Sequence, residues 1–149
     1  MIRKTHSKPN YAFIDNQNLN LGVQKAGFKM NWRKFREFLR DNYNVEKAYM
    51  FIGYMSNYEE LYEQMHDLGY LVVLKPTVGM FNTEEEKAKL AEDKKPVIKG
   101  NVDAELVLHA VKEMPNYNKA IIVSGDGDFY SLIEYLQDQN KLQNILAPN

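Results

Sequence analysis

Cysteine is absent from the 149-residue sequence. Its absence excludes a disulfide framework, a thiol nucleophile and a cysteine-ligated zinc or iron–sulfur centre, and the expectation that follows is a cytoplasmic protein. A charge excess is missing too: 19 basic against 20 acidic side chains leave a net charge of -1. No global positive field draws this chain onto nucleic acid, so any such contact has to be local. Neither GxGxxG nor GxxxxGK[ST] occurs, which removes the usual dinucleotide-binding and P-loop readings. No apolar stretch approaches the roughly 20 residues of a membrane-spanning helix, and "MIRKTHSKPN" lacks the following apolar segment and cleavage site of a signal peptide. The sequence therefore predicts a soluble chain with no membrane partner. Residues 1–10 read as a flexible tail and residues 11–149 as one domain.

What is present is enough apolar material for a core, 44% of the residues against 26% charged. Tyr11-Ala12-Phe13-Ile14 is too short and too uniformly apolar for a helix face and reads as a buried strand, with Asp15 at its carboxyl end. Asn31 can cap a helix from Trp32, whose Trp32, Phe35, Phe38, Leu39 and Tyr43 follow helical spacing while Arg33, Lys34, Arg36 and Arg40 form an exposed face. "KAYMFIGY" is a second strand ending near Gly53. Ser56-Asn57-Tyr58-Glu59 has capping-box spacing before a helix with the stripe Leu61, Met65 and Leu68, and Gly69 stops it. "YLVVLKP" is a third strand, halted by Pro76. Residues 78–98 show no clear period.

Asn101 can cap a helix lined by Val102, Leu106, Ala110, Val111 and Met114, with Asp103 in its first turn and Pro115 past its end. "KAIIV", "FYSLIEYLQDQ" and "LQNIL" then read as a strand, a helix and a last strand. The alternation predicts an α/β fold, a three-layer parallel sheet with helices on both faces.

Ligands of such sheets bind outside the carboxyl ends of the strands, near the switch in strand order. Asp15 follows the first strand, and Ser124, Asp126 and Asp128 of "SGDGDF" follow the fourth; Asp103 can face the same crevice. Four carboxylates gathered there would repel one another and raise one another's pKa values unless a cation neutralised them. Mg²⁺ or Mn²⁺ suits all-oxygen donors, and a water polarised by such an ion could attack a phosphodiester. Each aspartate also has a plain structural reading. Asp15 can be a turn residue, Asp128 the amino-terminal cap of the last helix, and Asp103 a carboxylate favoured by the helix dipole. Gly125 and Gly127 suggest a sharply bent backbone, and Tyr130 can stack on a base or pack. His109 has no second histidine at ligand spacing and reads as structural.

"YAFIDNQNLNLGV", "KGNVDAELVLHAV" and "IIVSGDGDFYSLIEYL" together resemble the NYN domain, a branch of the PIN-like nuclease superfamily. The blocks run from about Tyr11 to Leu136 in the family's order. The resemblance implies a PIN-like fold and a Mg²⁺- or Mn²⁺-dependent endoribonuclease acting on single-stranded or structured RNA. It places Asp15, Asp103, Asp126 and Asp128 in the acidic catalytic and metal site, Asn18 beside Asp15 as an orienting group, and Ser124 in a hydrogen bond to an aspartate, a water or a substrate phosphate. Lys99, about one helical turn before Asp103, can meet a substrate phosphate at the crevice or stand solvated. Two features depart from the pattern. Asn101 is an extra residue after Lys99-Gly100, and His109 stands where relatives often carry another acid. They keep open an alternative, a weak or inactive NYN domain that binds RNA or a protein. A homo-oligomer and the loss of a C-terminal element are also left open. A phosphatase of the haloacid dehalogenase type ranks low, because it needs an Asp two positions after the first and position 17 is Gln.

Overall fold

A computed structural model of the chain describes residues 8–16, 27, 29–53, 59–75 and 102–147. Asn18, Lys99, Asn101, the Ser56 capping box and the segment 78–98 lie outside the described residues. Five strands, β1 (Asn10–Asp15), β2 (Val45–Gly53), β3 (Tyr70–Lys75), β4 (Ala120–Val123) and β5 (Leu142–Leu146), form one sheet in the order β3-β2-β1-β4-β5. Every neighbouring pair is parallel. Helices α1 (Trp32–Tyr43), α2 (Glu59–Asp67), α3 (Asp103–Lys112) and α4 (Tyr130–Asp138) complete the α/β architecture. The strand order reverses between β1 and β4, the two strands whose ends carry Asp15 and "SGDGDF".

Side-chain alternation divides the core. Tyr11, Phe13, Phe51 and Ile122 pack with Leu106 and Ala110 of α3, Phe129, and Leu132 and Leu136 of α4. Ala12, Ile14, Met50, Ile121 and Val123 pack on the other face with Leu39 of α1 and Met65 of α2. β1 and β4 are buried at every position, as uniformly apolar runs between two helical layers must be.

Asn31 caps α1 as its position predicts, accepting a hydrogen bond from Lys34 N at 3.1 Å, an interaction that contributes about 1 kcal/mol. Asn44, in the left-handed region at φ 52°, ends the helix with its N–H donated to Leu39 O. The exposed basic face expected of α1 loses one member. Arg36 donates from Nε to Gly69 O (3.0 Å), from Nη1 to Val45 O (3.2 Å) and from Nη2 to Glu46 O (2.8 Å), tying α1 to the entries of β2 and β3. Gly69, at φ 101°, occupies the left-handed turn that ends α2 and presents that carbonyl.

Three expected core positions turn outward. Phe38, Leu61 and Val111 are exposed, because in each helix the buried line runs through a neighbour: Leu39 in α1, Tyr62 and Met65 in α2, Leu106 and Ala110 in α3. Val102, expected within α3, stands at its cap position without a side-chain cap. Asn10, read from sequence as the end of the tail, opens β1. Its Nδ2 donates to Tyr43 O (2.7 Å) and its Oδ1 accepts from Lys119 N (3.0 Å).

Candidate metal centre at the strand ends

Tyr11 and Phe13 face the α3/α4 side of the sheet, and residues two apart share a face. Asp15, the last residue of β1 and only 5% exposed, continues that line. Ile14 pairs with Val123 across β1 and β4, so Ser124 stands level with Asp15. The Ser124 hydroxyl, 3% exposed, donates to Asp15 Oδ2 at 3.3 Å and accepts from Asp126 N at 3.1 Å. One buried hydroxyl thus joins the end of β1 to the turn after β4.

That turn is organised by Asp126. Its Oδ1 accepts from Asp128 N at 2.9 Å, which caps the single 3-10 turn Gly127–Phe129 leading into α4. The cap role expected of Asp128 therefore belongs to Asp126, while Phe129 occupies the α4 cap position without a side-chain bond. The chain enters α4 through a 3-10 turn, which moves the cap two residues toward the strand. At Gly127, φ lies outside the left-handed region and a Cβ would meet nothing within 4 Å, so this position does not require glycine.

Carboxylate oxygens of Asp15, Asp103 and Asp126 all lie within 4.8 Å of one another. Three elements distant in sequence supply them: the end of β1, the first turn of α3 and the turn after β4. Asp128 is exposed and stands outside this group. Asp103 lies in the first turn of α3, where the helix dipole offsets part of its negative charge. The donor set fits a hard divalent cation: it holds only oxygen, and oxygens ligating Mg²⁺ from opposite sides are about 4.2 Å apart.

Two charged side chains at the rim were not singled out from sequence. Lys75, the last residue of β3, places Nζ 3.6 Å from Glu105 Oε2, two residues after Asp103 on α3. The strand-end rule could have found Lys75, but Glu105 carries no local signal. His109 is structural, as its lone position predicts: Nδ1 lies 2.9 Å from Glu105 O, and the ring packs edge-on against Phe51 and tilted against Tyr49. Tyr130 is 67% exposed at the start of α4 and is not part of the core.

Comparison with known proteins agrees with the fold. A crystal structure of a protein of unknown function from Vibrio parahaemolyticus superposes with a TM-score of 0.73 at 19% identity, covering 99% of this chain and 97% of that one. The low amplitude and bright protein LabA of Synechococcus elongatus is 26% identical over 129 residues, which is 84% of this chain. The match spans 66% of that relative's length. No helix among the described residues is long and apolar enough to cross a membrane. Residues 11–149, which include all three acidic positions, match the family model of the NYN domain, and the chain belongs to that family.

Proposed function

We propose that the chain is a metal-dependent endoribonuclease that hydrolyses RNA phosphodiester bonds at the strand ends, in a cytoplasmic setting. The observation that carries this reading is the convergence of Asp15, Asp103 and Asp126 within 4.8 Å at the topological switch of an NYN domain. These three residues would hold Mg²⁺ or Mn²⁺. When bound, the cation would supply Lewis acidity and a counter-charge for the phosphate oxygens.

The protein's own groups do the rest. Ser124 keeps Asp15 aimed into the crevice, and the Asp128 N–H does the same for Asp126, so two of the three carboxylates are fixed before loading. Asp128, exposed at the rim, accepts a hydrogen bond from the attacking water. That water's oxygen bonds to phosphorus as the bond to the leaving ribose oxygen breaks; the water's proton passes to Asp128, and the leaving oxygen takes a proton from solvent to become a ribose hydroxyl. Asn18 keeps the orienting role that the family resemblance implies, Lys99 would meet a phosphate from its place before Asp103, and Tyr130 offers an exposed ring on which a base can stack.

Cleavage of end-labelled RNA in Mn²⁺, Mg²⁺ and EDTA by the parent, Asp15→Asn and Asp126→Asn tests the reading. Internal products from the parent alone, and only with metal, are expected. Equal cleavage by all three proteins would trace the activity to a contaminant and end the assignment. His109 favours one rival, a domain that binds RNA or a protein without cutting, since it puts an imidazole packed on Phe51 where relatives often carry a carboxylate. RNA binding without products, with or without Mn²⁺, would select that rival.

A further inference from the structure

The start of α1 and the end of α2 flank a cavity of about 670 Å³, with Lys29, Trp32 and Arg33 on one wall and Gln64, Asp67 and Leu68 on the other. Trp32 and Leu68 pack against the Ile14 side of the core, so the cavity lies across the sheet from the three aspartates. Its volume falls within the roughly 300–1,000 Å³ of small-ligand sites.

Contacts outside the cavity hold its walls. Tyr70, buried at the start of β3, donates from its hydroxyl to Trp32 O at 2.6 Å, and its ring stands edge-on to the indole at 6.1 Å. Phe35, one turn on, meets the same indole edge-on at 6.3 Å. Arg36 binds Gly69 O, two residues past Asp67, and so ties α1 to the end of α2. A half-buried indole is thereby fixed with part of its surface in the cavity.

The polar groups beside it are uncommitted. Among the described residues, the exposed side chains of Lys29, Arg33, Gln64 and Asp67 take part in no hydrogen bond or ion pair. No acidic residue stands in the first turn of α1, so one wall is cationic, while the other offers a carboxylate and an amide. This division selects the ligand. Inorganic phosphate would use Lys29 and Arg33, but it would be repelled by Asp67 and would leave the indole bare. An apolar molecule would strip water from three charges and replace none of it. A nucleotide suits both walls: its base stacks on the indole, N–H groups at the base edge donate to Asp67 and the Gln64 amide oxygen, and its phosphate accepts from Lys29 and Arg33.

We propose that this cavity binds a nucleotide, free or as one unit of an RNA strand, on the side of the sheet opposite the acidic group. The site needs no metal and stands apart from the ribonuclease reading.

Trp32 is the chain's single tryptophan, so its emission reports on this cavity alone. AMP, GMP, adenosine, inorganic phosphate and a short RNA are titrated in EDTA against the parent, Arg33→Met and Asp67→Asn, with melting temperatures taken with and without Mn²⁺. AMP or GMP should change the emission saturably, adenosine should bind roughly tenfold more weakly for want of its phosphate contacts, and inorganic phosphate should leave the emission unchanged. Arg33→Met should weaken the nucleotides about tenfold and leave adenosine as in the parent, whereas Asp67→Asn should weaken both. Neither substitution should alter the melting temperature or its rise with Mn²⁺. Saturation by mononucleotides but not RNA makes the free nucleotide the ligand, and saturation by RNA alone, weakened in Arg33→Met, makes it the strand. Emission that never saturates, or binding unchanged in both variants, overturns the inference. Binding that requires Mn²⁺ and disappears in Asp126→Asn puts the nucleotide at the acidic group and overturns it too. Failure of the parent to cut RNA ends the ribonuclease reading and leaves this site standing.

Discussion

Ser124 Oγ lies 3.3 Å from Asp15 Oδ2, joining residues 109 positions apart across the boundary where the strand order reverses. The hydroxyl also accepts from Asp126 N, so a single buried group sets the spacing of two of the three carboxylates. Ser124→Ala should weaken Mn²⁺ binding about tenfold, as loss of a group that orients a ligand does. Calorimetric titration checks this, and unchanged affinity would show that Asp15 is held by something else.

Asp126 serves both as cap and as member of the acidic group, and the two duties can be separated. Asparagine caps as well as aspartate, so Asp126→Asn keeps the turn but removes one negative charge. The variant should melt no lower than the parent without metal. It should also lose the rise in melting temperature that Mn²⁺ gives the parent. Thermal unfolding with and without Mn²⁺ reads both effects; a full Mn²⁺-dependent rise in the variant would exclude Asp126 as a ligand.

Much of this site was legible in the sequence, for a physical reason. Short, uniformly apolar runs bounded by turn residues, such as Ala120-Ile121-Ile122-Val123, read as buried strands, and ligands of such sheets bind past their carboxyl ends. Asp15 and Asp126 were found on that basis. What stayed hidden depends on one residue of rotation or on contacts between distant elements. Phe38 and Leu39 are both apolar, and only packing against the sheet selects Leu39. Arg36 looks like its neighbours Arg33 and Arg40 until the carbonyls of Val45, Glu46 and Gly69 come beneath it. The exchange of cap duty between Asp126 and Asp128 required the 3-10 turn to be seen.

Arg36 gives a prediction unrelated to the site. Arg36→Met keeps the aliphatic stem but removes the hydrogen bonds to Gly69, Val45 and Glu46. The expected cost is about 2 kcal/mol, or a melting temperature lower by roughly 5 °C. Mn²⁺ affinity should not change. A fall in both would mean that α1 supports the acidic group as well as the sheet.

Alkaline pH should unfold the protein through its tyrosines. Burial pushes the Tyr49 phenol up to about 12, with the nearby Glu113 carboxylate adding to the rise. Burial also raises Tyr70, against the pull of Arg36, and Tyr117. Each favours its neutral form more strongly in the folded state than in the unfolded chain, where tyrosine ionises near pH 10. Their stabilisation is complete below about pH 10 and is lost as pH rises through the folded values. Denaturant midpoints should therefore fall between pH 10 and 12 as tyrosinate absorbance rises. A midpoint flat to pH 12 would contradict the burial of these phenols.

The central claim is that Asp15, Asp103 and Asp126 form one divalent-cation site. Anomalous scattering from a Mn²⁺-soaked crystal tests it most directly. The account predicts a peak bounded by those three carboxylates, about 2.2 Å from the nearest oxygens, and its loss in Asp126→Asn. A crystal that takes up Mn²⁺ elsewhere and shows no peak between Asp15 and Asp126 would contradict it.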